Sequence, residues 1–141
     1  MHKNCLHIFL AILLSFFLQS SHAQSSIVRS IYFKTGSSAI NKKYTPVLKE
    51  LSEKAASDSF GYVRIFAFTD TTGSEEYNDA FSGKRGHAVY NYLSSLSKID
   101  TTNSLVIWLG ESNDVYDLHS PVVHQQQRCV DIWMTFYKRK Q

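Results

Sequence analysis

From Ile27 onward, runs of β-branched and aromatic residues alternate with two stretches of helical period. Ile27–Phe33 reads IVRSIYF and places Ile27, Ile31 and Phe33 on one face of a strand. Gly36-Ser37-Ser38 is a turn. Pro46 suits the first turn of a helix, and Val47, Leu48, Leu51, Lys54 and Ala55 follow it at helical spacing until Asp58–Gly61 closes the element. Tyr62–Phe68, YVRIFAF, carries bulky residues on both faces, which predicts a central strand. Thr69–Gly73 is a polar loop, and Ser74 is placed to cap a second helix whose first turn holds Glu75 and Glu76. That helix is predicted to run to about Leu96, with Tyr77, Phe81, Ala88, Tyr92 and Leu96 as its apolar stripe and Val89 and Leu93 beside it. Leu105–Leu109 and Val130–Tyr137 are the third and fourth strands, separated by a long polar connection, Gly110–Gln127. Trp108 and Trp133 fall in these strands and are expected in the core. Strands alternating with helices predict a layered α/β fold of the α+β sandwich kind. A last strand with no helix before it predicts an antiparallel addition, hence a mixed sheet.

The first residues follow a different rule. Lys3 precedes an apolar run, Leu6–Leu18, and then Ser21-x-Ala23 ahead of Gln24. A charged start, an apolar core too short to span a bilayer and a small-residue site predict a signal peptide over residues 1–23, cleaved before Gln24. Cys5 lies ahead of the apolar core, so it is not placed to become a lipid-bearing N-terminal residue. The mature region, 24–141, retains a single cysteine, Cys129, and so has no internal disulfide. At 141 residues, one domain is expected. A net charge of +3 across 15 Lys+Arg and 12 Asp+Glu is too small and too scattered to point to nucleic acid. No segment of the mature region is predicted to span a membrane.

Candidate chemistry gathers in one stretch. Asn78, Ser82, Arg85 and Val89 form one line along the second helix. Arg85 lies four residues from both Phe81 and Val89, beside the apolar stripe, where an unpaired guanidinium is costly. Helical side chains lean toward the N-terminus, so Arg85 reaches back toward the loop that holds Asp70. Arg85, the N–H groups of the helix start and the loop make an anion site, and Asp70 adds a cation site beside it. Two readings follow: a pocket for a zwitterionic amino-acid head, or an internal Asp70–Arg85 salt bridge tying loop to helix.

The same residues resemble a known signature. Thr69-Asp70, Gly73, Asn78, Phe81-Ser82, Arg85-Gly86 and Val89 follow the spacing T-D-x-x-G-x4-N-x2-L-S-x2-R-A-x2-V of the OmpA-like C-terminal domain family. Ile31–Ser38 resembles that family's opening strand and serine turn, Gly110-Glu111-Ser112 its G-x-S segment, and Gln127-Arg128-Cys129-Val130 its N-R-R-V. The likeness covers about residues 28 to 136. It implies a β-α-β-α-β-β order with a four-stranded sheet and two main helices on one face. It also implies non-covalent binding of peptidoglycan at the periplasmic side of the cell envelope, at the cell wall or outer membrane. In that reading Asp70 takes the ammonium and Arg85 the carboxylate of a diaminopimelate side chain in the stem peptide. Thr69 and Asn78 line the pocket and Arg128 closes it. The alternative is the same fold serving as a ligand-free scaffold among envelope proteins. The chain departs from the signature at Ala67-Phe68, where the family has G-H, and at Lys34, where an acidic or polar residue is common. Gly86 replaces Ala, Gln127 replaces Asn and Cys129 replaces the second Arg.

The remaining signals are weak. His87, His119 and His124 lack metal-ligand spacing. Cys129 with His124 has no orienting partner and reads as a buried thiol. Gly83-Lys84-Arg85-Gly86 lacks the spacing of a phosphate loop and falls mid-helix. Lys138-Arg139-Lys140 is a solvated end. No catalytic set, metal site or cofactor is expected, and the chain is not expected to be an enzyme.

Overall fold

The computed structural model describes residues 24–57, 59–111 and 127–137. The predicted signal peptide, Ser112, His119, His124 and Lys138-Arg139-Lys140 lie outside them. The elements are β1 (Gln24–Tyr32), a 3-10 turn (Lys42–Tyr44), α1 (Thr45–Ala55), β2 (Phe60–Ala67), α2 (Glu75–Leu96), β3 (Ser104–Trp108) and β4 (Cys129–Tyr137). The sheet order is β1-β4-β2-β3. β4 runs antiparallel to both β1 and β2, while β2 and β3 are parallel across the α2 crossover. The fold is the mixed four-stranded α+β arrangement expected, with β4 inserted between the two strands that α1 connects.

Both helices cover one face of the sheet. Ile31, Val63, Ile65, Ala67, Val130, Ile132 and Met134 are fully buried and share one cluster with Leu48, Leu51 and Ala55 of α1 and Val89 and Leu93 of α2. Ile65 stands opposite Ile132 and Val63 opposite Met134. Each such aliphatic contributes about 1.5–3 kcal/mol by leaving water. Pro46 sits in the first turn of α1, where its missing N–H costs nothing. α2 begins as its cap predicts: the Ser74 hydroxyl accepts from the Tyr77 N–H at 3.2 Å. The Glu76 carboxyl is held below its ordinary range by its own backbone N–H and then by the Ser74 hydroxyl.

Two expectations fail here. The face α2 buries is not the Tyr77–Leu96 stripe but Asn78, Ser82, Arg85, Gly86, Val89 and Leu93, and Tyr77 is 51% exposed. The polar residues of the first half turn inward because their partners are on the sheet and its loops. Gly86 makes this possible, since a Cβ there would come 2.8 Å from Val106 Cγ1 and 3.2 Å from the Ala67 Cβ. The glycine in place of the family's alanine therefore lets helix and sheet close on each other. The tryptophans are not core either: Trp108 is 44% and Trp133 46% exposed. Trp133 stands between Val28 and Arg64 on the face without helices, edge-on to Phe66 at 6.0 Å. Trp108 ends the edge strand β3 beside the His87 ring at 5.7 Å.

Cys129 is buried where β4 begins, as expected for a structural thiol. Its carbonyl accepts from the Phe68 N–H at 2.9 Å, next to the site loop. Cys129→Ala is expected to cost about 1 kcal/mol of stability in thermal melts, in line with a small core truncation. Ligand affinity should not change; a loss of affinity at unchanged stability would mean that the thiol takes part in binding.

Candidate functional site

The site lies where β1, β2 and β4 meet the first turns of α2. The Thr69–Gly73 loop leaves the end of the buried strand β2, and the Thr69 N–H donates to the Gly110 carbonyl at 2.7 Å. Gly73 closes the loop at a φ of 117°, a conformation that favours glycine. A cavity of about 100 Å³ opens there, lined by Thr69, Asp70, Tyr77, Asn78, Phe81 and Arg85 and completed by Thr35, Gly36 and Thr72. Four of the five residues predicted for the site therefore line one pocket.

Arg85 is 1% exposed yet forms no ion pair among the described residues. Its Nε donates to the Ser37 carbonyl at 3.1 Å, Nη1 to that of Phe68 at 3.1 Å and Nη2 to that of Lys34 at 3.3 Å. The guanidinium also packs against the rings of Phe81 and Phe33, at 4.7 and 5.3 Å. Burial lowers its pKa, Asp70 works in the opposite direction and Arg128 adds to the lowering. An arginine keeps its charge through such a shift, so a full positive charge sits here on carbonyl dipoles and ring faces alone. Of the five N–H groups a guanidinium carries, each terminal nitrogen retains one beyond these bonds. Lys34 and Phe68 contribute carbonyls to this cradle, which any residue supplies, so these two departures from the signature leave the cradle intact.

Asp70 is buried and pairs with Arg128, Nη1 to Oδ2 at 2.8 Å. The alternative reading of an Asp70–Arg85 salt bridge is corrected: Arg128, just ahead of β4, pairs with Asp70. Arg128 thus meets the pocket through Asp70 rather than as one of its lining residues. At the helix start the Tyr77 N–H is already taken by the Ser74 hydroxyl, so this donor is not open to an anion. The Thr69 hydroxyl is buried beside the pocket with no hydrogen-bond partner among the described residues.

Two participants escaped sequence reasoning. Asn78 Nδ2 donates to Glu111 Oε2 at 2.8 Å, although Glu111 was visible only as the middle of Gly110-Glu111-Ser112. Tyr77, assigned to the buried stripe, instead stacks on Phe81 at 5.3 Å at the pocket mouth. His87 bonds the Gly83 carbonyl through Nδ1 at 2.9 Å, away from the site. Among the described residues no three His, Cys, Asp or Glu side chains gather as a metal site, and no helix is long and apolar enough to cross a membrane.

This arrangement can hold an anion on Arg85 and a donor group on Asp70 and Thr69 at once. The model of the OmpA family matches residues 32–128, well over half the chain. The chain belongs to the OmpA family. No curated protein matches it. Among solved structures, this OmpA-family chain is similar to the peptidoglycan-associated lipoprotein of Burkholderia pseudomallei, at 28% identity and a TM-score of 0.65 over 78% of this chain and 90% of that one. It also shares its fold with the OmpA-like domain of FopA1 from Francisella tularensis, at 17% identity and a TM-score of 0.63 over 84% of this chain and 78% of that one. The C-terminal domain of Helicobacter pylori MotB is a third, at 16% identity and a TM-score of 0.61 over 79% of this chain and 85% of that one.

Proposed function

We propose that this protein binds peptidoglycan non-covalently, taking the amino-carboxylate head of diaminopimelate in the stem peptide. The observation that carries the reading is Arg85, a buried cation with no carboxylate partner among the described residues and with N–H groups to spare beside an orphan hydroxyl. A guanidinium fork matches a carboxylate in shape and charge. Asp70 stands across the pocket to receive the ammonium, with Thr69 and Asn78 lining the cleft and Arg128 holding Asp70 in place. The likeness to a peptidoglycan-associated lipoprotein supports the same assignment. The protein would act as a wall-tethering module in the periplasm, at the cell wall or outer membrane, with other envelope proteins as further partners. No catalytic step is part of this reading.

Sedimentation of the purified protein with isolated peptidoglycan tests it. Retention on the wall, competed by a diaminopimelate-containing stem peptide and not by a lysine-containing one, is the expected result. No retention would leave the ligand-free scaffold. Export is tested separately, by mass spectrometry of protein from the envelope fraction. An N-terminus at Gln24 is expected, and an intact Met1 would refute removal of residues 1–23.

A further inference from the structure

The Asn78 side chain is almost fully buried in the first turns of α2, and its amide donates to the Glu111 carboxylate at 2.8 Å. An ionised carboxylate only accepts hydrogen bonds, so it binds the NH2 end of the amide and turns Oδ1 the other way. Oδ1 lies over the site loop, 3.4 Å from where a Cβ on Gly73 would stand. Glu111 is itself held in place: the Gly110 N–H donates to the Ser82 hydroxyl at 3.1 Å and the Gly110 carbonyl accepts from Thr69. The pocket then has two chemically distinct sides, acceptors from Asn78, Asp70 and Thr69 and donors from Arg85. Glu111 also brings the charges of the site side chains to balance, two guanidinium groups against two carboxylates, which suits a zwitterion better than a simple anion.

We infer that Glu111 is a positioning residue for ligand recognition: it orients the Asn78 amide so that Oδ1 accepts from the ligand's ammonium group. This rests on the proposed binding of a diaminopimelate head. Without Glu111 the amide is free to rotate and to point its own N–H groups at the ammonium.

The test is calorimetric titration with two probes, an alanyl-glutamyl-diaminopimelate tripeptide and the same peptide with only the side-chain amine of its diaminopimelate residue acetylated. The parent protein should prefer the free amine. Glu111→Ala should weaken that peptide roughly tenfold, the scale of a hydrogen bond to a charged group, without weakening the acetylated one. In an Asn78→Ala background, Glu111→Ala should add nothing. Should Glu111→Ala melt too low to titrate, Glu111→Gln takes its place; its Oε1 can still accept from the amide, so most of the preference should survive. Equal weakening of both peptides, no weakening, or a full loss of preference in Glu111→Gln would overturn the positioning role while the binding function stands. Failure of the parent to bind either peptide would overturn both.

Discussion

Replacing Arg85 by alanine lowers the melting temperature by roughly 12 °C or more, following a loss of about 3–5 kcal/mol in a domain of this size. Removing the guanidinium relieves the cost of burying a charge, which works in the variant's favour. Against this, the carbonyls of Lys34, Ser37 and Phe68 each lose the hydrogen bond from Arg85, although that of Lys34 keeps the Ser37 N–H, and the space between the Phe33 and Phe81 rings empties. Three lost hydrogen bonds and a cavity outweigh the relief, because the arginine's charge is already solvated by those carbonyls. Arg85 links the end of β1 and the turn behind it, the end of β2 and the helix α2, so its loss should loosen all three together. Differential scanning calorimetry of parent and variant measures this; an unchanged transition would mean that the carbonyls find other donors. A role in the pocket alone would leave both site variants melting like the parent. The structure withdraws that for Arg85 and makes Arg85→Ala a poor probe of binding.

Asp70→Asn is the sharper probe. Asparagine keeps the shape of aspartate and can still accept from Arg128, so the loop keeps its place. What disappears is the negative charge, leaving two guanidinium groups beside the pocket with Glu111 as the remaining carboxylate. A ligand ammonium that lost its counter-charge in a mostly desolvated site would bind about 2–5 kcal/mol more weakly, or at least roughly 30-fold. Titration with the diaminopimelate tripeptide reads this directly, with thermal melting as the check that the fold survives. Affinity equal to the parent's would remove Asp70 from the binding site and leave its pairing with Arg128 as a purely structural tie.

How much of this was legible beforehand follows a physical line. The elements themselves were: Pro46, Ser74 and the β-branched strand runs act locally, so their meaning survives without knowledge of the fold. That Thr69, Asp70, Asn78 and Arg85 line one pocket was legible as well, because they sit at fixed spacings on one loop and one helix and the topology brings those together. The pairings were not. Arg128 is 58 residues from Asp70, and Glu111 is 33 from Asn78, so no local rule could join them. Nor was the buried face of α2: hydrophobicity favoured Tyr77 and Leu96, but buried backbone carbonyls and the Glu111 carboxylate drew Arg85 and Asn78 inward, and Gly86 let the helix close on the sheet. The tryptophans misled for a related reason, since alternation along a strand separates two faces without saying which one the helices will cover. The sequence by itself thus determined the elements, their order and four residues that line one pocket. Tertiary structure decided that β4 inserts between β1 and β2, which helix face is inside and which charge answers which, because those depend on contacts between parts of the chain that are far apart until it folds.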